Sequence, residues 1–229
     1  MADQLYLSLW FPNFRFEGLP AATISVLRQF ARISGLPRMA AAATYPMNFT
    51  EAPVYQRVYV LDQRAEEGAD TSASMIEIAV AEATELLHED TAYEFEMKWQ
   101  LWAREGGGPG ANEVDALWKK VPSSVKFLAF GPEFDDATFE QNGHLRVDFG
   151  LDTPWIFDEE DESFEDEEAR TEAANYIKQN VEMLLAFTLS VEKHCGISSR
   201  LLWTESGEPL AEKLIARLQR LNSKEGAPP

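Results

Sequence analysis

The chain is predicted to fold as an α+β protein, with a mostly antiparallel sheet and helices packed on one of its faces. Three observations carry that expectation. The first is the stretch Ala92 to Trp102, A-Y-E-F-E-M-K-W-Q-L-W, in which Tyr93, Phe95, Met97, Trp99 and Leu101 share one parity and Glu94, Glu96, Lys98 and Gln100 the other. A strand sends alternate side chains to opposite faces, so this segment has an apolar and a wet face. A strand buried on both sides of a parallel sheet would read as an unbroken apolar run instead. The second is a set of further β-branched and aromatic runs bounded by Pro, Gly and Asn. The third is a series of apolar stripes at helical spacing between them.

In chain order, Leu5 to Phe11 is a short apolar run that reads as a buried strand. Pro20 suits the first position of a helix whose stripe is Val26, Leu27, Phe30 and Ile33, and Gly35 with Pro37 ends it. Met39 to Met47 is assigned to strand because Pro37 and Pro46 leave little room for a helix. Val54 to Leu61 is β-branched and aromatic and reads as strand. Ser74 and Glu77 have capping-box spacing ahead of a second helix with the face Ile76, Ala79, Val80, Ala83 and Leu87. The alternating strand follows. The order to that point, β-α-β-β-α-β, resembles the ferredoxin-like order, by analogy of element sequence alone.

Beyond the glycine-rich stretch Gly106 to Gly110, Val125 to Phe130 and Leu145 to Phe149 read as strands, with Asn142-Gly143 as a tight turn between extended runs. The longest helix is expected from about Glu167 to Lys193, with the stripe Ala173, Tyr176, Ile177, Leu184, Phe187 and Val191. A short strand at Leu201 to Trp203 and a last helix faced by Leu210, Leu214, Leu218 and Leu221 complete the chain. The first half is thus followed by strands and two C-terminal helices. Residues 1–229 are expected to form a single domain, and the loop 105–112 is the best candidate for an internal boundary.

Composition bounds the partners. The 229 residues are 45% hydrophobic and carry a net charge of −19, with a sequence pI near 4.5. A chain of this size buries roughly 70% of its unfolded surface, so its core needs no staples. Phosphate backbones and anionic lipid repel such a surface, which argues against direct nucleic-acid or membrane binding. One cysteine, Cys195, excludes an intrachain disulfide and a cysteine-based zinc cluster. The start, Met-Ala-Asp-Gln, lacks the basic and apolar regions of a signal peptide, and no run of about eighteen apolar residues occurs. A cytoplasmic location is the resulting expectation.

No catalytic grammar stands out. Cys195 follows the longest helix, where the dipole opposes a thiolate, so its neighbour His194 reads better as a cation at a helix end than as a base. His88 and His144 lie in no metal spacing, the glycine-rich loop lacks the Lys-Ser/Thr of a phosphate cradle, and no cofactor is implied. The six tryptophans read as core edges whose N–H groups reach partners, with a binding surface as the alternative. The least ordinary feature is Asp158 to Glu168, nine acids in eleven positions. Asp158, Glu159, Glu160, Asp161, Glu162, Glu165 and Asp166 there are the candidate partner-binding residues. The run reads as a solvated lead into a helix N-terminus, as a docking patch for a basic protein, or as a cation site that lacks the usual calcium-loop spacing. The leading functional reading is a soluble, acidic, non-enzymatic interaction module for a basic partner, of immunity or inhibitor type. The alternative is an enzyme or small-ligand-binding domain with a pocket between sheet and helices. A structural subunit, with the wet parity of the alternating strand against another chain, is the third.

Overall fold

The computed structural model describes residues 3–59, 70–105, 117–135, 142–156 and 167–206. Seven strands form one antiparallel sheet: β1 (Gln4–Trp10), β2 (Met39–Pro46), β3 (Tyr55–Val58), β4 (Thr91–Glu105), β5 (Leu117–Phe130), β6 (Leu145–Leu151) and β7 (Ser199–Thr204). Their order across the sheet is β3-β2-β4-β5-β6-β1-β7. Three α-helices accompany them among the described residues: α1 (Leu19–Ser34), α2 (Asp70–Ala83) and α3 (Glu167–His194).

The alternation in β4 is realised in its burial. Tyr93, Phe95, Met97 and Trp99 are fully buried, whereas Glu94, Glu96, Lys98 and Gln100 stay partly exposed. The two wet-parity carboxylates find partners on the sheet itself. Lys126 Nζ lies 3.3 Å from Glu94 Oε2, and Ser124 Oγ donates to Glu96 Oε1 at 2.6 Å. On the other parity, Phe30 of α1 and Phe187 of α3 meet edge to face, with ring centroids 5.5 Å apart. Both rings also contact Phe127 of β5, and Phe30 contacts Trp99. Ile76, Ala79 and Val80 of α2 belong to the same buried cluster.

The element order β-α-β-β-α-β is present in the first half, but the pairing is not that of a ferredoxin-like sheet. β1 lies between β6 and β7, and β4 pairs with β2 and β5. The neighbours differ throughout: β2 stands beside β4, β3 is left at the sheet edge, and β5 and β6 lie between β4 and β1, long-range choices that local periodicity does not encode.

Element ends follow local chemistry. Gly35 caps α1 in the left-handed conformation, φ 66°, and its N–H reaches Ala31 O. The helix α2 starts at Asp70, so Ser74 and Glu77 lie within it and do not form its N-terminal capping box. β5 begins at Leu117, earlier than the apolar run from Val125 suggested. Pro122 is tolerated there because β6 pairs only with Lys126 to Ala129, which leaves the outer edge of β5 at Pro122 without a β6 partner. β7 extends Leu201–Trp203 to Ser199–Thr204.

β4 and β5 pair as far as Glu105 and Leu117, while β2 has already stopped opposite Met97. Beyond that point Asn180 of α3 takes over the exposed edge of β4. Its Oδ1 accepts from Trp102 N–H at 2.9 Å, and its Nδ2 donates to Trp102 O and Pro154 O, both at 2.9 Å. Tyr176 stacks on Trp118 and contacts Trp102, which places the start of α3 against wet-parity rings of the ribbon. α3 therefore reaches side chains of the wet parity as well as core rings such as Phe127. The glycine-rich loop, the acid run up to Asp166 and the last amphipathic segment lie outside the described residues.

Candidate docking surface

At one end of the sheet β2 finishes, β4 starts and β5 finishes. Three connections meet there, and backbone hydrogen bonds tie them together. Met47 N donates to Asp90 O at 2.7 Å, Gly131 N to Thr91 O at 2.8 Å, Glu133 N to Glu89 O at 2.8 Å and Asp135 N to Met47 O at 2.8 Å. Met47 and Asp135, joined by the last of these, both have positive φ, 60° and 49°. Left-handed backbone is uncommon for residues with a Cβ and is favoured only where surroundings enforce it.

This end presents apolar side chains to solvent. Met47 is 62% exposed, Phe49 38% and Leu86 70%. Phe49 packs edge to face on Phe134 at 4.9 Å and on Tyr45 at 5.3 Å, so it is held in place although it is exposed. Beneath it a small cluster of Ala92, Leu128, Phe130 and Phe134 is buried. Around these groups Glu51, Glu85, Glu89, Asp90, Glu133 and Asp135 are exposed. Residues 46–54, 84–90 and 131–135 include no lysine or arginine. The result is an apolar spot with an acidic rim.

Next to it, Arg146 of β6 lies between the rings of Tyr6, at 5.0 Å, and Phe130, at 5.3 Å. Burial pulls its pKa down, offset by Tyr6, Asp148 and Asp135, and its Nε has no hydrogen-bond partner. At the same end His144 Nδ1 accepts from Phe11 N–H at 3.0 Å, and the imidazole stacks on Phe14 at 4.2 Å. Burial holds the His144 pKa below its ordinary value.

The seven residues singled out in the acid run, Asp158, Glu159, Glu160, Asp161, Glu162, Glu165 and Asp166, lie outside the described residues. Glu168, the last of that run, lines a depression with Thr171, Glu172 and Asn175 at the start of α3. Cys195 is half-buried, and burial pushes its thiol up despite Ser25 and Arg32, which act the other way. His88 is exposed, and its backbone N–H donates to the Tyr93 hydroxyl. Among the described residues no group of three or more His, Cys, Asp or Glu gathers as a metal site requires. No described helix is long and apolar enough to cross a membrane.

Two tryptophans satisfy their indoles, Trp102 through Gln179 and Trp203 through Ser8. Trp99 and Trp155, packed 5.8 Å apart in the core, leave theirs buried and unpaired. Sequence reasoning did not find the Met47–Phe49 end. Its acids are scattered over three connections, and the only local signal was a turn-rich composition.

No family model matches the chain, and no curated protein or solved structure does so either.

Proposed function

We propose that this chain is an acidic, non-enzymatic interaction module that holds a basic protein partner, as immunity and inhibitor proteins do. The observation that carries the reading is the apolar spot of Met47 and Phe49 inside a rim of exposed carboxylates without a lysine or arginine on its three connections. Exposed apolar side chains such as Phe49, packed on Phe134 and Tyr45, and Met47 supply the desolvated centre of an interface, and rim charges steer association and select the partner's sign. The net charge of −19 and the acid run from Asp158 to Glu168 act in the same direction at longer range. Between the sheet and the helices, Phe30, Trp99, Phe127, Phe149 and Phe187 are buried.

The test is capture from the native host on the immobilised chain, identification of the retained species, and stopped-flow association with that purified protein. The expected result is a basic protein whose association slows steeply as salt rises, because exposed charges beyond a Debye length of about 8–10 Å become screened. Met47→Asp with Phe49→Asp should remove binding, and Glu89→Lys with Glu133→Lys should slow association most at low salt. A partner indifferent both to salt and to these four substitutions would overturn the reading.

A further inference from the structure

We propose that His144 is a proton-operated latch: when neutral it holds the segment Phe11–Arg15 against the end of the sheet, and when protonated it releases that segment. The geometry is specific. Phe11 N–H points at His144 Nδ1 from 3.0 Å, so Nδ1 must carry a lone pair, and the neutral ring has its proton on Nε2. An imidazolium is a donor at both nitrogens, so protonation sets two N–H groups against each other and leaves the Phe11 amide without an acceptor. The held segment contains Pro12, which has no N–H to offer, and Asn13 at φ 47°. Besides the packing of Phe11 and Phe14 against the core, its attachment rests on the imidazole and on the stacking of both rings over it. The chain before the segment is anchored independently, by His144 N–H to Leu9 O and Ser198 N–H to Trp10 O, and after it Gly18 N–H bonds Arg15 O and Leu19 is fully buried, which confines the release to Phe11–Arg15.

Among the described residues, charged groups on the surrounding elements are Arg15 at the end of the held segment and Glu17 beyond it, Glu133 and Asp135 on the turn after β5, Arg146 on β6, and Lys193 and His194 at the end of α3. Burial is the cause that displaces the His144 titration, and it favours the neutral ring. The sign follows from linkage. A histidine harder to protonate in the closed state than in the open one favours opening as pH falls below its ordinary value near 6.5, and the effect levels off once pH is below the closed-state pKa. His144 O also accepts from Phe130 N–H, one residue before the turn that ends at the acidic rim. The consequence for partner binding, weaker or stronger on acidification, rests on the docking reading above, whereas the latch itself does not.

The experiment is amide hydrogen exchange on the free chain at about pH 7.5 and about pH 5, each rate corrected for its intrinsic pH dependence, alongside NMR titration of the His144 ring. Protection of the Phe11 amide should fall by about tenfold or more on acidification, with the ring titrating below 6.5. His144→Asn, whose Oδ1 accepts without titrating, should keep Phe11 protected at both values. Unchanged protection in the wild-type chain, or a ring midpoint at or above 6.5, would overturn the latch. So would parallel loss of protection in a folded His144→Asn variant. If that variant does not fold, the wild-type pair of measurements decides alone. Because no partner is present, failure of the docking reading leaves these outcomes intact.

Discussion

Gly131→Ala offers a sharp test of how the acidic end is built. A Cβ at Gly131 would stand 2.2 Å from Glu89 O and 2.9 Å from His88 O. Both atoms are backbone, so no side chain can swing aside, and one of the two connections must move. That movement threatens the Gly131 N–H bond to Thr91 O and the Glu133 N–H bond to Glu89 O, each 2.8 Å. A backbone bond contributes about 0.5–1.5 kcal/mol net, and a buried donor left unpaired costs about 1–3 kcal/mol, so the expected loss is about 2–4 kcal/mol. For a chain of this length that corresponds to a fall in Tm of about 5–15 °C. Urea unfolding should show a lower midpoint with an unchanged slope. Gly150→Ala is the control: its φ is +78° and nothing lies within 4 Å of its Cβ, so backbone strain alone acts. That strain costs about 1–2 kcal/mol. If Gly131→Ala is within about 0.5 kcal/mol of wild type, or milder than Gly150→Ala, the close approach of the turn to Glu89 is not real.

Asn180→Asp should be costly at neutral pH, by about 2–4 kcal/mol, because the carboxylate keeps the bond from Trp102 N–H but turns two donations into repulsions with Trp102 O and Pro154 O. Protonation restores one donor, so the deficit measured by urea unfolding should shrink on acidification; a pH-independent deficit would show that Asn180 acts by shape alone. Cys195 should react with iodoacetamide at about pH 7.5 at least ~10-fold more slowly than free glutathione, since its thiol is half-buried and its pKa pushed up. A rate equal to glutathione or faster would contradict a structural role.

The sheet was legible where side chains report their own surroundings. In β4 five consecutive odd residues are apolar and the four between them are polar, and the buried and partly exposed classes repeat that order. α1 was legible for the same reason, with Pro20 at its start and a left-handed Gly35 at its end. The first half of β5 was not, because Lys119, Lys120 and Pro122 break any apolar alternation. What makes it a strand is the partner, residue by residue from Trp102↔Lys120 to Glu105↔Leu117. The strand order was hidden for a stronger reason: β1 joins β6 and β7 across most of the chain length, and nothing in Leu5, Leu7 or Leu9 states which apolar strand they prefer. The candidate site was hidden too. Acids at Glu89 and Glu133 read separately as turn residues, and only the bond between their main chains makes them one surface. For the tryptophans the expected indole partners exist at Trp102 and Trp203 but not at Trp99 and Trp155, where ring packing has prevailed over donor satisfaction.

The portion of β4 and β5 that runs on past Met97 and Val125 is a two-stranded arm braced by α3 through Tyr176, Gln179 and Asn180. Two strands alone are marginal in water. Its β4 edge is spared from recruiting a foreign strand because one carboxamide occupies the main-chain groups at Trp102. Any force or ligand that lifts the middle of α3 off this margin would therefore bare it. The middle of that helix is thus what keeps this margin of the sheet from pairing with a foreign strand.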